Sequence, residues 1–106
     1  MNFTTYQEQA EKTAGAGMGD LYFPMQRVAA DFHIDVDRVM CSALGASGEA
    51  GELANKIKKL IYHEHCFAQL EIREEIGDVL WYLAELCTAF GWDMGTIAEE
   101  NLSKLS

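Results

Sequence analysis

The sequence predicts an all-α protein, arranged as a four- to five-helix bundle whose two long helices run antiparallel. Apolar residues recur close to every 3.6 positions from 36 to 61 and again from 72 to 90, which is the period of an amphipathic helix. No segment alternates apolar and polar residues with the β-branched enrichment typical of a strand. Because 106 residues suffice for one hydrophobic core, we expect residues 1–106 to form a single domain.

Two shorter helices are predicted in the first third of the chain. Thr5 and Glu8 have the spacing of a capping box, so we expect a helix over residues 6–14, followed by a flexible glycine-rich turn at 15–19. After the single proline, residues 25–32 have the composition of a second helix. Its inner side would carry Val28, Ala29 and Phe32.

The first long helix is predicted over positions 36–61, a length of about seven turns. Asp35 precedes it directly, and aspartate is a favoured N-cap because its carboxylate accepts a hydrogen bond from a backbone N–H of the first turn. Three glycines inside this helix each cost about 1 kcal/mol relative to alanine, so they require close helix packing or approach of the backbone to a ligand. They are Gly45, Gly48 and Gly51.

The second half of the chain predicts a hinge, a second long helix and a final shorter one. The polar residues 63–65 would form the hinge, and the second long helix would span 68–90. Gly91 is a natural stop, because glycine readily adopts positive φ just after a helix. Asp93 is a candidate N-cap for a last helix over 94–105. The inner face of that helix would carry Met94, Ile97, Ala98, Leu102 and Leu105.

Composition excludes several classes of partner. Acidic side chains outnumber basic ones 17 to 8, a net charge of −9, so we expect neither a nucleic acid polymer nor an anionic membrane as partner. No apolar run reaches the roughly 18 residues of a membrane span, and the chain does not open with a basic segment and an apolar run, so we expect no export or anchoring. The cysteines form no C-x-x-C motif, which favours a reducing cytoplasm. They are Cys41, Cys66 and Cys87.

Two acidic pairs stand out within the long helices. Glu49 and Glu52 are three residues apart on the first helix, and Glu75 and Asp78 are three residues apart on the second. Residues at this spacing share a helix face, and both pairs border an apolar stripe. Antiparallel packing across the short hinge would therefore bring the two pairs opposite each other.

Four carboxylates in such an arrangement require neutralisation. At about 5 Å and an effective dielectric near 20, each pair repels by about 3 kcal/mol. Carboxylate oxygens suit Mg²⁺ or Mn²⁺, and metal sites in bundles are commonly built from helix-borne carboxylates. The alternative is a solvated face, since exposed acidic pairs are frequent and Glu52 has the i, i+4 spacing for an ion pair with Lys56. The protein would then be a non-enzymatic acidic helical interaction module.

The acidic segments resemble a known family. Residues 48–53 read GEAGEL and residues 75–83 read EIGDVLWYL, which is similar to the E-x-x-E and E-x-x-D signature of MazG-like nucleotide pyrophosphohydrolases. Residues 101–105, NLSKL, resemble the N-x-x-K-L segment of many members. The resemblance covers residues 37–105 and indicates the all-α NTP pyrophosphatase superfamily.

This resemblance implies an enzyme that hydrolyses a nucleoside triphosphate, a (d)NTP, between its α- and β-phosphates to a monophosphate and pyrophosphate, in house-cleaning or nucleotide-pool control. It implies Glu49, Glu52, Glu75 and Asp78 as Mg²⁺ ligands, with Glu49 or Glu52 orienting or deprotonating the attacking water. Divalent ions suit this chemistry because they neutralise the triphosphate and stabilise charge on the leaving pyrophosphate.

Five further residues are candidates for substrate binding on the same resemblance. Lys56 and Lys59 would reach phosphate oxygens, and Tyr82 would stack on the base or sugar or donate to a phosphate. Asn101 and Lys104 would complete the pocket from the last helix. The alternatives are surface salt bridges for the lysines, core packing for Tyr82 and a solvated face for the last two.

A close enzymatic rival is the related phosphoribosyl-ATP pyrophosphohydrolase of histidine synthesis. Trp81 and Tyr82, directly after the second acidic pair, resemble the MazG-like branch better. Oligomerisation through helix faces is expected as well, because the long helices carry broad apolar faces and Phe67, Trp81 and Trp92 add aromatic surface. Similar proteins are homodimers or homotetramers.

Overall fold

Five α-helices form the secondary structure of residues 1–14, 21–63 and 68–106, the parts of the chain that the computed structural model describes. They are α1 (Phe3–Thr13), α2 (Tyr22–Phe32), α3 (Val36–His63), α4 (Ala68–Phe90) and α5 (Met94–Leu105). No strand occurs in those three ranges, and the all-α prediction is confirmed. The turn expected at 15–19, hinge residues 64 and 65, Cys66 and Phe67 lie outside the described residues.

Helix α1 begins earlier than the sequence predicted. Asn2 is its N-cap, and the Asn2 side-chain oxygen accepts a hydrogen bond of 2.8 Å from the backbone N–H of Thr5. The capping box proposed for Thr5 and Glu8 is therefore wrong, since Thr5 lies inside the first turn. The reason is local: asparagine ranks above threonine as an N-cap, and here it stands three residues before the N–H that it caps.

Helix α2 also begins earlier, at Tyr22, and includes Pro24 in its first turn. Proline is tolerated there because that backbone nitrogen would have no partner within the helix, and the first helical bond is donated by Met25 to the carbonyl of Leu21. The inner side predicted for α2 is only partly present. Ala29 is half-buried, but Val28 is exposed and Phe32 is 69% exposed, because α2 contacts little besides a short part of α3.

The long helices α3 and α4 pack side by side as an antiparallel hairpin, as predicted, and make most of the helix-to-helix contacts in the described part of the chain. Asp35 caps α3 by accepting from the N–H of Arg38 at 3.1 Å, which confirms its predicted role. Contacts along the hairpin pair rising positions on α3 with falling positions on α4. From the open end toward the hinge they join Arg38 to Glu85, Gly45 to Tyr82, Glu49 to Glu75 and Asp78, and Lys56 to Glu71.

Helix α4 ends in a Schellman motif around Gly91, as the sequence predicted. Gly91 has φ of 75° and its N–H donates to the carbonyl of Thr88, while the N–H of Trp92 donates to the carbonyl of Cys87. The rings of Phe90 and Trp92 stack with centroids 4.4 Å apart and close the turn. Asp93 then caps α5 by accepting from the backbone N–H of Thr96 at 2.8 Å.

The single chain buries little of its apolar surface. Ser42 and Ala89 are the buried residues of the described part, and no large side chain there is fully enclosed. The inward face predicted for α5 is wrong for the isolated chain, since Leu102 and Leu105 are 69% and 72% exposed. The reason is that α5 makes few contacts with the α3–α4 hairpin, which leaves its apolar stripe without a cover.

Candidate metal centre

Three carboxylates converge where α3 and α4 face each other. Glu49 from α3 and Glu75 and Asp78 from α4 each place one oxygen within 4.8 Å of the other two. Glu49 and Glu75 are half-buried, and Asp78 lies at the exposed edge. The i, i+3 spacing turns both α4 residues to one face, and the antiparallel register puts Glu49 opposite them.

Glu75 is the most constrained member of this acidic cluster. Its Oε2 atom is buried and, with the carboxyls ionised, has no hydrogen-bond partner among the described residues. The pKa of Glu75 is raised, chiefly because its carboxyl can share a proton with that of Glu49, then because of burial and the negative charges of Glu49 and Asp78. The charge of Lys56 acts in the opposite direction.

The cluster fits a hard divalent cation. Its donors are all carboxylate oxygens, the ligand type that Mg²⁺ and Mn²⁺ prefer, and no histidine or cysteine belongs to the group. A cation there would give the buried Glu75 oxygen the partner that the described residues do not supply, and would offset the mutual repulsion.

Glu52, the fourth expected ligand, stands apart from the cluster. It is exposed on α3 and does not belong to the group formed by Glu49, Glu75 and Asp78. Three residues advance a helix by 300°, so Glu52 points about 60° away from the direction of Glu49. Its role as a ligand stays a prediction.

Lys56 crosses to the facing helix. Its Nζ lies 3.6 Å from Oε2 of Glu71, and its side chain is only 21% exposed. The ion pair found for Lys56 is thus with Glu71 across the hairpin, whereas the sequence suggested Glu52 along α3. Its charge also favours the ionised form of Glu75, so Lys56 borders the acidic cluster.

The other predicted substrate-binding residues are dispersed. Tyr82 is half-buried, with its ring over Gly45 and edge-on to Trp81 at a centroid distance of 5.0 Å. Lys59 is exposed on α3. Asn101 and Lys104 are exposed on α5, which makes few contacts with the hairpin, so the single chain does not bring them to the acidic cluster.

One contact that sequence reasoning missed helps to set the register of the hairpin. Arg38 donates from Nε and from a terminal nitrogen to Oε2 of Glu85, at 3.0 and 2.7 Å. A signal existed: once the acidic pairs are placed opposite each other, antiparallel geometry carries Arg38 to the level of Glu85 on α4. Opposite charges at matched levels of two facing helices are the pattern to look for.

Within the described ranges, no helix has the length and apolar character needed to cross a membrane. Comparison with curated proteins finds the gene 37 protein of Mycobacterium phage L5, which is 39% identical over 66 residues. That alignment covers 58% of this chain and 58% of the phage protein, so the matched part spans little more than half of the relative. No solved structure matches the chain significantly.

The family comparison matches the segment that contains the acidic cluster. Residues 41–106 match the model of the MazG nucleotide pyrophosphohydrolase domain, and this segment includes most of α3 and all of α4 and α5. The match agrees with the all-α architecture, and a family of this kind is generally dependent on divalent metals. By sequence and by fold, the chain belongs to the MazG nucleotide pyrophosphohydrolase family.

Proposed function

We propose that this protein hydrolyses a (d)NTP at the α–β phosphate bond to a nucleoside monophosphate and pyrophosphate, in house-cleaning or nucleotide-pool control. Glu49, Glu75 and Asp78 hold Mg²⁺ or Mn²⁺ in this proposal, and Glu52 is the fourth ligand. The observation that supports it most is the buried Glu75 oxygen without a partner, set among three carboxylates within 4.8 Å. Membership of the MazG family supports the nucleotide as substrate.

The acidic residues have two tasks in this proposal. When bound, the divalent ion would neutralise phosphate charge and supply a water acidic enough to act near neutral pH. Glu49 or Glu52 orients that water or takes its proton, and the exposed position of Glu52 leaves it accessible to solvent. Attack of the water at the α-phosphorus breaks the bond to the bridging oxygen, and pyrophosphate leaves.

The basic and aromatic candidates would bind the substrate. Lys56 borders the acidic cluster and can exchange its 3.6 Å contact with Glu71 for a phosphate oxygen, because exposed ion pairs are weak. Lys59, Tyr82, Asn101 and Lys104 remain proposed contacts to phosphate, base or sugar. For the two α5 residues, the proposal requires α5 to approach a hairpin, its own or that of a second copy.

We propose a homodimer or homotetramer as the working form, in a reducing compartment. The exposed apolar faces of the hairpin and α5 support the oligomer, and the free thiols of Cys41 and Cys87 are compatible with reducing conditions.

Pyrophosphate release from each NTP, each dNTP and phosphoribosyl-ATP, with Mg²⁺ and with a chelator, tests this function. We expect release from at least one nucleoside triphosphate, only with metal, and its loss in Glu75→Gln and Asp78→Asn. Glu74→Gln is the matched control, since Glu74 neighbours Glu75 but is exposed and outside the cluster. Release from phosphoribosyl-ATP alone would identify the rival enzyme.

Thermal unfolding with added Mg²⁺ separates the enzyme from an acidic interaction module. At about 100 times the dissociation constant, a bound ion should stabilise the wild type by about 2.7 kcal/mol, and Glu75→Gln should show no such gain. Without metal, Glu75→Gln should unfold at a higher temperature than wild type, because one of three repelling carboxylates is removed. No metal response and no hydrolysis in the wild type would favour the interaction module.

A further inference from the structure

Gly45 is the point where a side chain of α4 covers the backbone of α3. A Cβ atom built on Gly45 would overlap the Cδ1, Cε1 and Cζ atoms of the Tyr82 ring, at distances that real Cβ atoms do not adopt. The other glycines of the hairpin have no such neighbour: Gly48, Gly51 and Gly77 have nothing within 4 Å. Of the hairpin glycines, Gly45 alone is thus required by packing.

This contact lies one helical turn from the acidic cluster on both helices. Gly45 precedes Glu49 by four residues, and Tyr82 follows Asp78 by four residues. Four residues rise about 6 Å along a helix and return to nearly the same face, so the glycine–ring contact and the cluster are neighbouring levels of one interface. The distance between α3 and α4 at the first level therefore constrains their distance at the second.

We propose that Gly45 and the Tyr82 ring are positioning residues: their contact sets the separation of α3 and α4 at which Glu49 reaches Glu75 and Asp78, and so sets the affinity of the cluster for divalent cations. This rests on the proposed function, because it assumes that the cluster binds a metal. It also assigns Tyr82 a role in the free protein, apart from any contact with a nucleotide. Supports of this kind, one shell outside the ligands, typically change metal affinity by about 10- to 100-fold when altered.

The first test is the Mn²⁺ affinity of the full chain, measured by titration calorimetry without nucleotide. Gly45→Ala should weaken binding about tenfold or more, because its methyl group must displace the Tyr82 ring and separate the helices. Gly51→Ala is the matched control, the same substitution on the same helix in open space, and should leave the affinity within about twofold of wild type. Tyr82→Phe keeps the ring and should also bind Mn²⁺ normally.

A double-mutant cycle separates positioning from general destabilisation. In a Tyr82→Ala background the ring is absent, so Gly45→Ala should change Mn²⁺ affinity little, although it weakens binding when the ring is present. Unfolding in urea, with a chelator, should show the same dependence for stability. The Tyr82→Ala background keeps the test valid if Gly45→Ala alone does not fold.

Two outcomes would overturn the inference, and they are distinguishable. If wild type binds Mn²⁺ and Gly45→Ala is less stable but binds equally well, the contact is purely structural and the proposed function is unaffected. If wild type binds no divalent ion, the metal assignment fails and the positioning role fails with it, whatever the coupling in stability.

Discussion

Asp93 and Glu75 are carboxylates whose surroundings act in opposite directions. Asp93 accepts from the backbone N–H of Thr96 at 2.8 Å and from its hydroxyl at 2.9 Å, and these bonds hold the pKa of Asp93 below its ordinary 3.8. For Glu75, the neighbouring Glu49, burial and nearby negative charge raise the pKa above its ordinary 4.5. Donors thus stabilise the ionised form at the helix cap, whereas carboxylates destabilise it at the cluster.

The cap at Asp93 predicts a defined pH dependence. Because its folded pKa is lowered, the stabilisation by Asp93 is fully present above pH 3.8 and is lost as the pH falls through the lower folded value. Asp93→Asn keeps an oxygen acceptor for Thr96 and cannot titrate, so it should remove this component. The measurement is the free energy of unfolding in urea from about pH 6 down to about pH 2 for both proteins.

Wild type and Asp93→Asn should differ progressively as the pH falls below 3.8 and run parallel above it. Curves that stay parallel over the whole range would show that the cap does not titrate as its hydrogen bonds indicate.

At the scale of the element, the junction between α4 and α5 depends on one backbone conformation. Gly91 adopts φ of 75°, which gives the N–H groups of Gly91 and Trp92 access to the last carbonyls of α4. The stacking of Phe90 on Trp92 and the Asp93 cap follow within three residues. The direction in which α5 leaves the hairpin is therefore set locally.

Alanine substitutions at two glycines should act with opposite signs. Gly91→Ala should destabilise by about 1–2 kcal/mol, because an L-residue is strained at positive φ. Gly51→Ala lies in a helix interior with open space around it, so it should stabilise by about 1 kcal/mol. Urea unfolding measures both, and equal signs would contradict the backbone assignment.

At the scale of the whole molecule, the single chain is too extended for its length. Its Cα radius of gyration is 19.5 Å, whereas a compact domain of about 100 residues has about 13 Å. It exposes 8700 Å², against about 5,900 Å² expected for its 11.8 kDa. The excess of about 2,800 Å² is well above the roughly 800 Å² that each partner buries in a standard interface.

This excess predicts a homo-oligomer whose stability depends on concentration. Light scattering during size-exclusion chromatography should give a mass of at least two 11.8 kDa chains, and the unfolding temperature should rise with protein concentration. Leu80→Lys on α4, where leucine is 51% exposed, should shift the equilibrium toward the monomer.

Glu74→Lys is the control for that variant, because Glu74 is exposed on the same helix about 120° away from Leu80. A stable wild-type monomer with concentration-independent unfolding would contradict the proposed assembly.

Features that depend on local chemistry were predictable from the sequence. The bounds of α4 and α5, the caps at Asp35 and Asp93 and the stop at Gly91 follow from periodicity and from side chains within a few residues. The start of α1 was wrong because two candidate caps, Asn2 and Thr5, competed within the same turn.

By itself, the sequence determined an all-α chain with two long amphipathic helices and an acidic pair on each, because helical periodicity is a local property. Only the tertiary structure decided which carboxylates meet: Glu49 joins Glu75 and Asp78, while Glu52 does not. That choice depends on the rotation and separation of α3 against α4, which arise from contacts between residues distant in sequence, such as Gly45 with Tyr82.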